Sequence, residues 1–325
     1  MTADKIKKML LESTIDKALK EMAVDSRRAV RKLVDLGSRF GGNGFSAQIM
    51  QKAEPLLANE RSPYYQLIQD LAANTDHAKL KTFGLNIGYN AWGNGIKLLR
   101  QRQSELKMFL PWYLVLQIAD NQNINEADHL IKEGNKLGIY LYCLDLRKTT
   151  AFSFAVTSLM RSHADCAFVA VVPAQQIIPQ NMGGLMACRN LLLLVDSQSS
   201  DFLAAASLLR QHHCFFGAFC TYGDTTVGGL ARGEWLEPIL NAKVPLAFLL
   251  AEPSTSETKI EQCARYVNNE REAPRYPLLL IDFIADGKLI NKYIYGKECT
   301  CTNVIDIDAL SPEPLLSLIK QEKSS

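Results

Sequence analysis

Apolar residues recur every three or four positions through the first third of the chain, which is the spacing of one face of an α-helix. Three groups show the pattern best: Ile6, Met9 and Leu10; Ala29, Val30, Leu33 and Val34; and Tyr64, Leu67, Ile68 and Leu71. Residues 1–110 are therefore predicted to form a helical region. Its aromatic residues Tyr64, Tyr65, Tyr89 and Trp92 are candidate contacts for a protein partner, although helix packing explains them equally well.

After Pro111 the pattern changes to short apolar blocks separated by helical stretches. Continuous apolar strands that alternate with helices indicate a parallel sheet buried on both faces. Seven strands are predicted: Trp112–Ile118, Ile139–Leu144, Ala167–Val172, Leu191–Val195, Phe215–Thr221, Pro245–Leu250 and Leu278–Ile284.

The end of this repeat differs from the rest. Ala285-Asp286-Gly287-Lys288 is typical of a hairpin turn, which predicts an antiparallel strand over Leu289 to Tyr295. The predicted fold class is α/β, a partial (β/α)6 TIM-like barrel with a C-terminal hairpin, preceded by the helical region. The barrel is assigned to residues 111–305, and residues 306–325 are assigned to a C-terminal tail.

Polar residues follow the predicted strands, where a parallel β/α fold places its ligand site. These candidate pocket residues are Gln117, Asp120, Asp145, Arg147, Lys148, Asp196, Gln198, Tyr222, Asp224 and Glu252. Carboxylates that converge there suit a cation, and acids beside bases suit proton transfer. The alternative is structural, because Asp and Ser at such positions also cap the following helix.

Composition narrows the partners and the compartment. The 325 residues include 36 Lys and Arg against 34 Asp and Glu, so a nucleic-acid partner is not expected. No apolar run approaches the roughly 20 residues of a membrane span, and the first 20 residues do not resemble a signal peptide. We therefore expect a cytoplasmic protein whose eight cysteines are reduced.

Several segments resemble the radical S-adenosylmethionine (radical SAM) superfamily, over roughly Lys5 to Gly296. They are Leu110-Pro111-Trp112, Glu133 to Tyr142, His163 to Phe168, Phe216 to Tyr222, and Asp282-Phe283 through Asp286-Gly287 to Tyr295-Gly296. The resemblance implies a helical region ahead of a partial barrel. It also implies a Cys-x₃-Cys-x₂-Cys loop after strand one that holds a [4Fe–4S] cluster, and a Gly-Gly-Glu segment after strand two that holds the amino group of S-adenosylmethionine.

Both of these family motifs are missing. The stretch Gln117 to Ile124 contains no cysteine, and Leu146-Arg147-Lys148 stands where Gly-Gly-Glu is expected. The [4Fe–4S] cluster and S-adenosylmethionine are therefore disfavoured, since iron–sulfur ligation depends on thiolates. The leading hypothesis is a pseudoenzyme that acts as a non-catalytic binding or regulatory partner, either of an intact radical SAM paralogue or of itself. The alternative is an enzyme or small-molecule binder with a remodelled polar site at the strand ends.

The cysteines leave one weak metal candidate. Cys143, Cys166, Cys188, Cys214, Cys220 and Cys263 fall in apolar surroundings and are expected to pack as small hydrophobic residues. Cys299 and Cys301 follow the predicted hairpin, where some members of the family hold an auxiliary cluster. Two thiols without a later cysteine cannot complete a four-thiolate site from that region alone.

Overall fold

The computed structural model describes residues 3–22, 25, 27–32, 57, 59, 61–119, 123–149, 152–296, 303–309 and 313–319. The first third of the described chain is helical, as predicted. Its elements are α1 (Ala3–Met22), α2 (Pro63–Asn74), α3 (His77–Leu85), a π-helix (Asn86–Gly95) and α4 (Ile96–Leu106). None of the described helices is long and apolar enough to cross a membrane.

Eight strands then form one sheet in which every pairing is parallel. They are β1 (Leu114–Gln117), β2 (Leu141–Asp145), β3 (Ala167–Val172), β4 (Leu191–Asp196), β5 (Phe216–Tyr222), β6 (Leu246–Ala251), β7 (Leu279–Asp282) and β8 (Val304–Asp306). The strand order is β7-β6-β5-β4-β3-β2-β1-β8. All seven predicted strands are confirmed, and so is the α/β partial barrel.

The helices between the strands follow the β/α repeat. Their bounds are α5 (Ile124–Leu137), α6 (Phe154–Ser162), α7 (Met182–Ala187), α8 (Phe202–Gln211), α9 (Val227–Arg232), α10 (Leu236–Asn241), α11 (Glu257–Glu272), α12 (Phe283–Tyr295) and α13 (Leu315–Leu318). The first of them, α5, ends at Gly138, whose φ of 98° is left-handed and suits a residue without a side chain.

Alternate strand residues form two separate cores. One face of the sheet packs against the helices and includes Leu116 and Leu144. The other face curls around an inner core: Val115, Cys143, Val171, Leu192, Leu194, Phe215, Phe219 and Phe248. Since side chains alternate along a strand, this assignment also fixes which strand-end residues face the barrel interior.

The helical region closes the amino-terminal end of the barrel. Phe83 packs edge-on against Phe215, with 5.1 Å between the ring centroids. The backbone N–H of Asp76 donates to the His213 carbonyl at 3.0 Å. Tyr65 is buried in the core of this region, and Tyr64 is buried beside Leu236 and Arg271 of the barrel, so packing within the chain accounts for both of them. The opposite, carboxyl-terminal end is where a site is expected.

The predicted C-terminal hairpin is wrong, because Phe283–Tyr295 is a helix. The Asp282 carboxylate caps that helix, accepting hydrogen bonds from the N–H groups of Ile284 and Ala285 at 3.1 and 2.9 Å. Asp286, which looked like a turn residue, instead forms an ion pair with Arg271 of α11. This contact is between distant residues, so it left no local signal.

The helix α12 also lies against the start of β1. The Trp112 indole N–H donates to the Asn291 side chain at 2.9 Å, and Tyr113 packs edge-on against Phe283. Strand β8 then pairs in parallel with β1 along the edge that β2 does not occupy, and Val304 stands opposite Val115. The boundary predicted at residue 305 falls inside this strand.

Candidate functional site

An ion pair stands on the barrel interior where β2 ends. Because Cys143 faces the inner core, Asp145 two residues later faces the same way. The Arg147 guanidinium donates from Nε to Asp145 Oδ1 at 2.9 Å and from Nη2 to Oδ2 at 2.7 Å. Such a two-point pair fixes both side chains in one geometry.

The surroundings of Asp145 favour its charged form. Burial raises the pKa of this carboxyl, but the hydrogen bonds and charge of Arg147 and a hydrogen bond from Gln117 outweigh burial and leave the pKa below its usual value. Gln117 ends the neighbouring strand and stands opposite Asp145 in the β1–β2 register. The sequence-predicted residues Gln117, Asp145 and Arg147 are therefore brought together.

Asp196 completes this group from β4. It follows the inward-facing Leu192 and Leu194 at a spacing of two, and so it faces the barrel interior as well. The hydrogen bond to Asp145 chiefly raises the pKa of Arg147, and the charge of Asp196 adds to this effect. We call Gln117, Asp145, Arg147 and Asp196 the mouth cluster. Its two carboxylates face one guanidinium.

The loops around the mouth cluster are joined to each other by side-chain hydrogen bonds, which we call the loop belt. Each bond links two neighbouring strands from β8 round to β6 through the loops that follow them or, at Thr221, through the end of strand β5 itself. The bonds are Asp308 to Ala119, Thr149 to Ile118, Gln176 to Thr149, Gln175 to Ser199, Gln198 to Thr221, and Asp224 to Ser256. This end of the barrel is therefore held in one arrangement.

The belt was not foreseen in the sequence. The Asp308 carboxylate accepts from the Ala119 N–H at 2.5 Å and from the Asn123 side chain at 3.0 Å. The Thr149 hydroxyl donates to the Ile118 carbonyl at 2.6 Å. These partners are far apart in the chain, so no local pattern could have indicated them.

Other predicted residues lie away from the mouth cluster. Tyr222 packs into the outer core, because Phe219 three residues earlier faces inward. Asp224 is exposed and accepts from the N–H and hydroxyl of Ser256, at 2.8 and 2.9 Å. Glu252 and Lys148 are exposed, and Gln198 belongs to the loop belt.

Three further predicted residues cannot be placed. Asp120, Cys299 and Cys301 lie outside the described residues. Their candidate roles stay predictions, namely the mouth for Asp120 and an auxiliary metal site for the two cysteines.

The described thiols do not suit an iron–sulfur cluster at the mouth. Cys143 lies on the inner face one layer below Asp145, and burial raises its pKa to about 12. Cys166, Cys188, Cys214, Cys220 and Cys263 are also buried. A cluster requires thiolates that reach iron, and none of the described residues in the loop after β1 (Ile118, Ala119 and Asn123) is a cysteine. The residues present at the β1 end therefore do not fit the group that the family resemblance implies.

Comparison with known proteins gives matches among solved structures. No family model and no curated protein matches the sequence. Streptococcus suis SuiB bound to precursor peptide SuiA matches at 8% identity and a TM-score of 0.43, covering 57% of this chain and 52% of SuiB. SuiB by itself matches at 8% identity and 0.43, covering 62% and 55%. The structure of anSMEcpe with bound AdoMet and Kp18Cys peptide matches at 10% identity and 0.41, covering 60% and 72%.

The chain thus spans about half the length of the SuiB chains that it matches. These solved structures share only 8–10% identity with this chain, and the partial β/α barrel predicted from the sequence is seen in the parallel sheet of the chain itself. The chemistry of the mouth cluster depends on its own side chains.

Proposed function

We propose that this chain is a radical-SAM-like barrel that binds neither a [4Fe–4S] cluster nor S-adenosylmethionine and acts by binding another protein. Its partner in this proposal is an intact radical SAM paralogue. The helical region and the barrel supply the binding surface, and the mouth takes no part in cluster chemistry.

The Asp145–Arg147 ion pair carries the proposal. Arg147 stands where the family resemblance calls for Gly-Gly-Glu, a segment that lets backbone approach the ligand. Here the guanidinium occupies that position and neutralises the carboxylate beside it. A charge pair with satisfied hydrogen bonds is a structural element, and opening it for a ligand costs those bonds.

The loop after β1 supports the same conclusion. The resemblance requires three cysteines there, and the described part of this loop offers Ile118, Ala119 and Asn123. The Ala119 amide and the Asn123 side chain are both bound to Asp308. Hydrogen bonds to a distant carboxylate hold this loop, and the metal ligation that the family uses has no thiol to build on.

Exposed apolar side chains near the mouth supply a reason to expect a protein partner. Phe154 is 73% exposed, Ile178 41% and Leu203 51%, and they lie on the loops or helix starts that follow β2, β3 and β4. A protein that covered these three side chains would remove their apolar surface from water, which favours association.

Anaerobic iron–sulfur reconstitution followed by an S-adenosylmethionine titration tests the loss of chemistry. We expect sub-stoichiometric iron, no broad visible absorbance and no saturable binding. Iron near four per chain together with saturable binding would refute the proposal. An intact radical SAM enzyme reconstituted in parallel shows that the procedure works.

Affinity purification from the native source tests the partner. We expect a barrel paralogue to be recovered with the wild-type chain and reduced with Phe154→Ser. Lys136→Ser, at the far end of α5, is the surface control. Recovery of the chain alone in repeated experiments contradicts the partner role, and recovery only of a second copy replaces it with self-association.

A second candidate function is a small-molecule binder or enzyme that uses the mouth cluster. It is favoured by one observation, the convergence of Gln117, Asp145, Arg147 and Asp196 on the barrel interior. Three cavities in the described part of the chain, beside Tyr64, Asp16 and Lys107, lie away from the mouth cluster. A small-molecule ligand of the mouth would raise the unfolding temperature of the wild-type chain and not that of Arg147→Met, whereas a plugged mouth gives no ligand-dependent shift in either.

A further inference from the structure

A groove lies between the end of α4, the segment that leads into β1, and the end of α12. It holds about 440 Å³ and is open to solvent, and its volume is within the size range of small-molecule sites. Its position before β1 places it at the amino-terminal side of the barrel, away from the mouth cluster. Neither the family resemblance nor the proposed function involves it.

The polar side chains that line the groove all offer donors. Arg100, Gln103, Ser104 and Lys107 come from successive turns of α4 and its C-terminal cap, and no Asp or Glu lines the groove among the described residues. All four can donate to an anion, and two of them, Arg100 and Lys107, carry a positive charge at neutral pH. The chemistry of the lining is therefore complementary to a negative ligand.

Two of these side chains can still donate a hydrogen bond to a ligand. Lys107 is exposed and forms no ion pair among the described residues. The Gln103 Nε2 atom is buried and has no hydrogen-bond partner in the described part of the chain. An unmatched buried donor costs free energy that an acceptor on a ligand would recover. The broad terminal torsion of glutamine allows this amide to turn toward the groove.

The remaining charge already has a structural role. Arg100 donates from Nε and Nη2 to the Ile294 carbonyl near the end of α12, at 3.2 and 2.8 Å. This contact screens the negative end of the α12 dipole from the groove. Arg100 thus shapes the site, while Lys107 and Gln103 remain for the ligand.

An aromatic wall completes the groove. Phe109 and Tyr295 meet edge-on, with 6.0 Å between their ring centroids and 79° between their planes. Both line the groove, and both are partly exposed. Aromatic faces favour the flat or apolar body of a ligand, since ring contacts add to burial.

We propose that this groove binds a small organic anion, a carboxylate or phosphate ester joined to an aromatic or apolar body. The anionic group lies against Lys107 and the Gln103 amide, and the body lies against Phe109 and Tyr295. This site is separate from the mouth cluster.

The test is a titration of the isotope-labelled full chain with phenyl phosphate, followed by amide resonances in a TROSY spectrum. We expect saturable shifts confined to residues 100–110 and 293–296. Inorganic phosphate, which lacks the ring, and benzylamine, which reverses the charge, should each bind more weakly by at least about tenfold, because each loses one of the two contact types.

Two lysine substitutions, one in the groove and one outside it, test whether the charge of Lys107 binds the anionic group. Lys107→Gln should weaken phenyl phosphate binding by about threefold to fivefold, as expected for an exposed charge contact. Lys97→Gln, an exposed lysine on the same helix outside the groove, should leave the affinity unchanged. Absence of saturable shifts, equal binding of inorganic phosphate, or equal loss in the two variants overturns the proposal.

Discussion

Replacing Arg147 by methionine tests whether the mouth cluster is a stabilising element. The substitution keeps most of the volume and removes the charge, so the Asp145 carboxylate loses its two-point partner. The Asp145 side chain is 11% exposed and that of Arg147 is 42% exposed. Asp145 would then stay largely buried with an uncompensated charge at neutral pH.

The expected magnitude lies between two known limits. Exposed ion pairs contribute about 0–1 kcal/mol, and breaking a fully buried pair costs about 3–5 kcal/mol. Water screens Arg147 over nearly half of its surface, so the buried figure has to be discounted. We expect Arg147→Met to lower the free energy of unfolding by about 1–2 kcal/mol at pH 7.

The effect should depend on pH in a defined direction. The folded-state pKa of Asp145 is lower than its usual value, about 3.9 in an unfolded chain. The stability that Asp145 contributes is therefore fully present above that pH and is lost as the pH falls through the folded-state pKa. The difference between wild type and Arg147→Met should shrink as the pH approaches 3.

The assay is urea unfolding followed by tryptophan fluorescence, on Arg147→Met, Asp145→Asn and the double variant. The double-mutant cycle isolates the coupling between the two side chains. Lys148→Met is the matched control, since this neighbouring lysine is exposed. A coupling energy near zero, or a loss that is the same at pH 7 and pH 3, would show that the pair is a surface contact without structural weight.

Three other perturbations have defined outcomes. Burial raises the pKa of Asp282, so the charged form of this carboxyl is unfavourable in the folded state at high pH. Asp282→Asn should keep the helix cap and be at least as stable as wild type at pH 8. A clear loss of stability in urea unfolding would contradict this expectation. Lys79 is buried and its ammonium group contacts only the Leu185 carbonyl and the Cys214 sulfur among the described residues. Lys79→Met should therefore be tolerated in thermal unfolding, whereas Lys79→Ala should lose about 2 kcal/mol or more through the cavity it leaves. The six buried cysteines should resist alkylation in the native state and react after unfolding, which peptide mass spectrometry measures. Rapid labelling of any of them in the native state would contradict their burial.

The sheet could be predicted because its signal is local. Each buried parallel strand is a continuous apolar run, and β3 was predicted with the bounds that it has. The strand β8 was missed because it has three residues and is defined by its pairing with β1. The helix α12 was mistaken for a hairpin because Asp286-Gly287 matches a turn, while the ion pair to Arg271 that uses Asp286 is a contact between distant residues.

The site was predictable only in part, because the sequence places residues at strand ends without fixing the face. Asp145 and Asp196 fall on the inner face, whereas Tyr222 falls on the outer face of β5. A shift of one residue along a strand moves a side chain from the inner face to the outer face of the sheet. The loop belt depends on tertiary contacts such as that of Asp308, and no sequence pattern contains them.

The mouth cluster and the α4–α12 groove lie at opposite ends of β1, and this separation makes the two proposals independently testable. The groove residues precede the strand, whereas Gln117 ends it. Substitutions that share no contact and lie far apart add in free energy. Arg147→Met should therefore leave phenyl phosphate affinity unchanged, and Lys107→Gln should leave recovery of a protein partner unchanged. A failure of either proposal then says nothing against the other, and a measured coupling between the two sites would reveal a change of shape transmitted through β1.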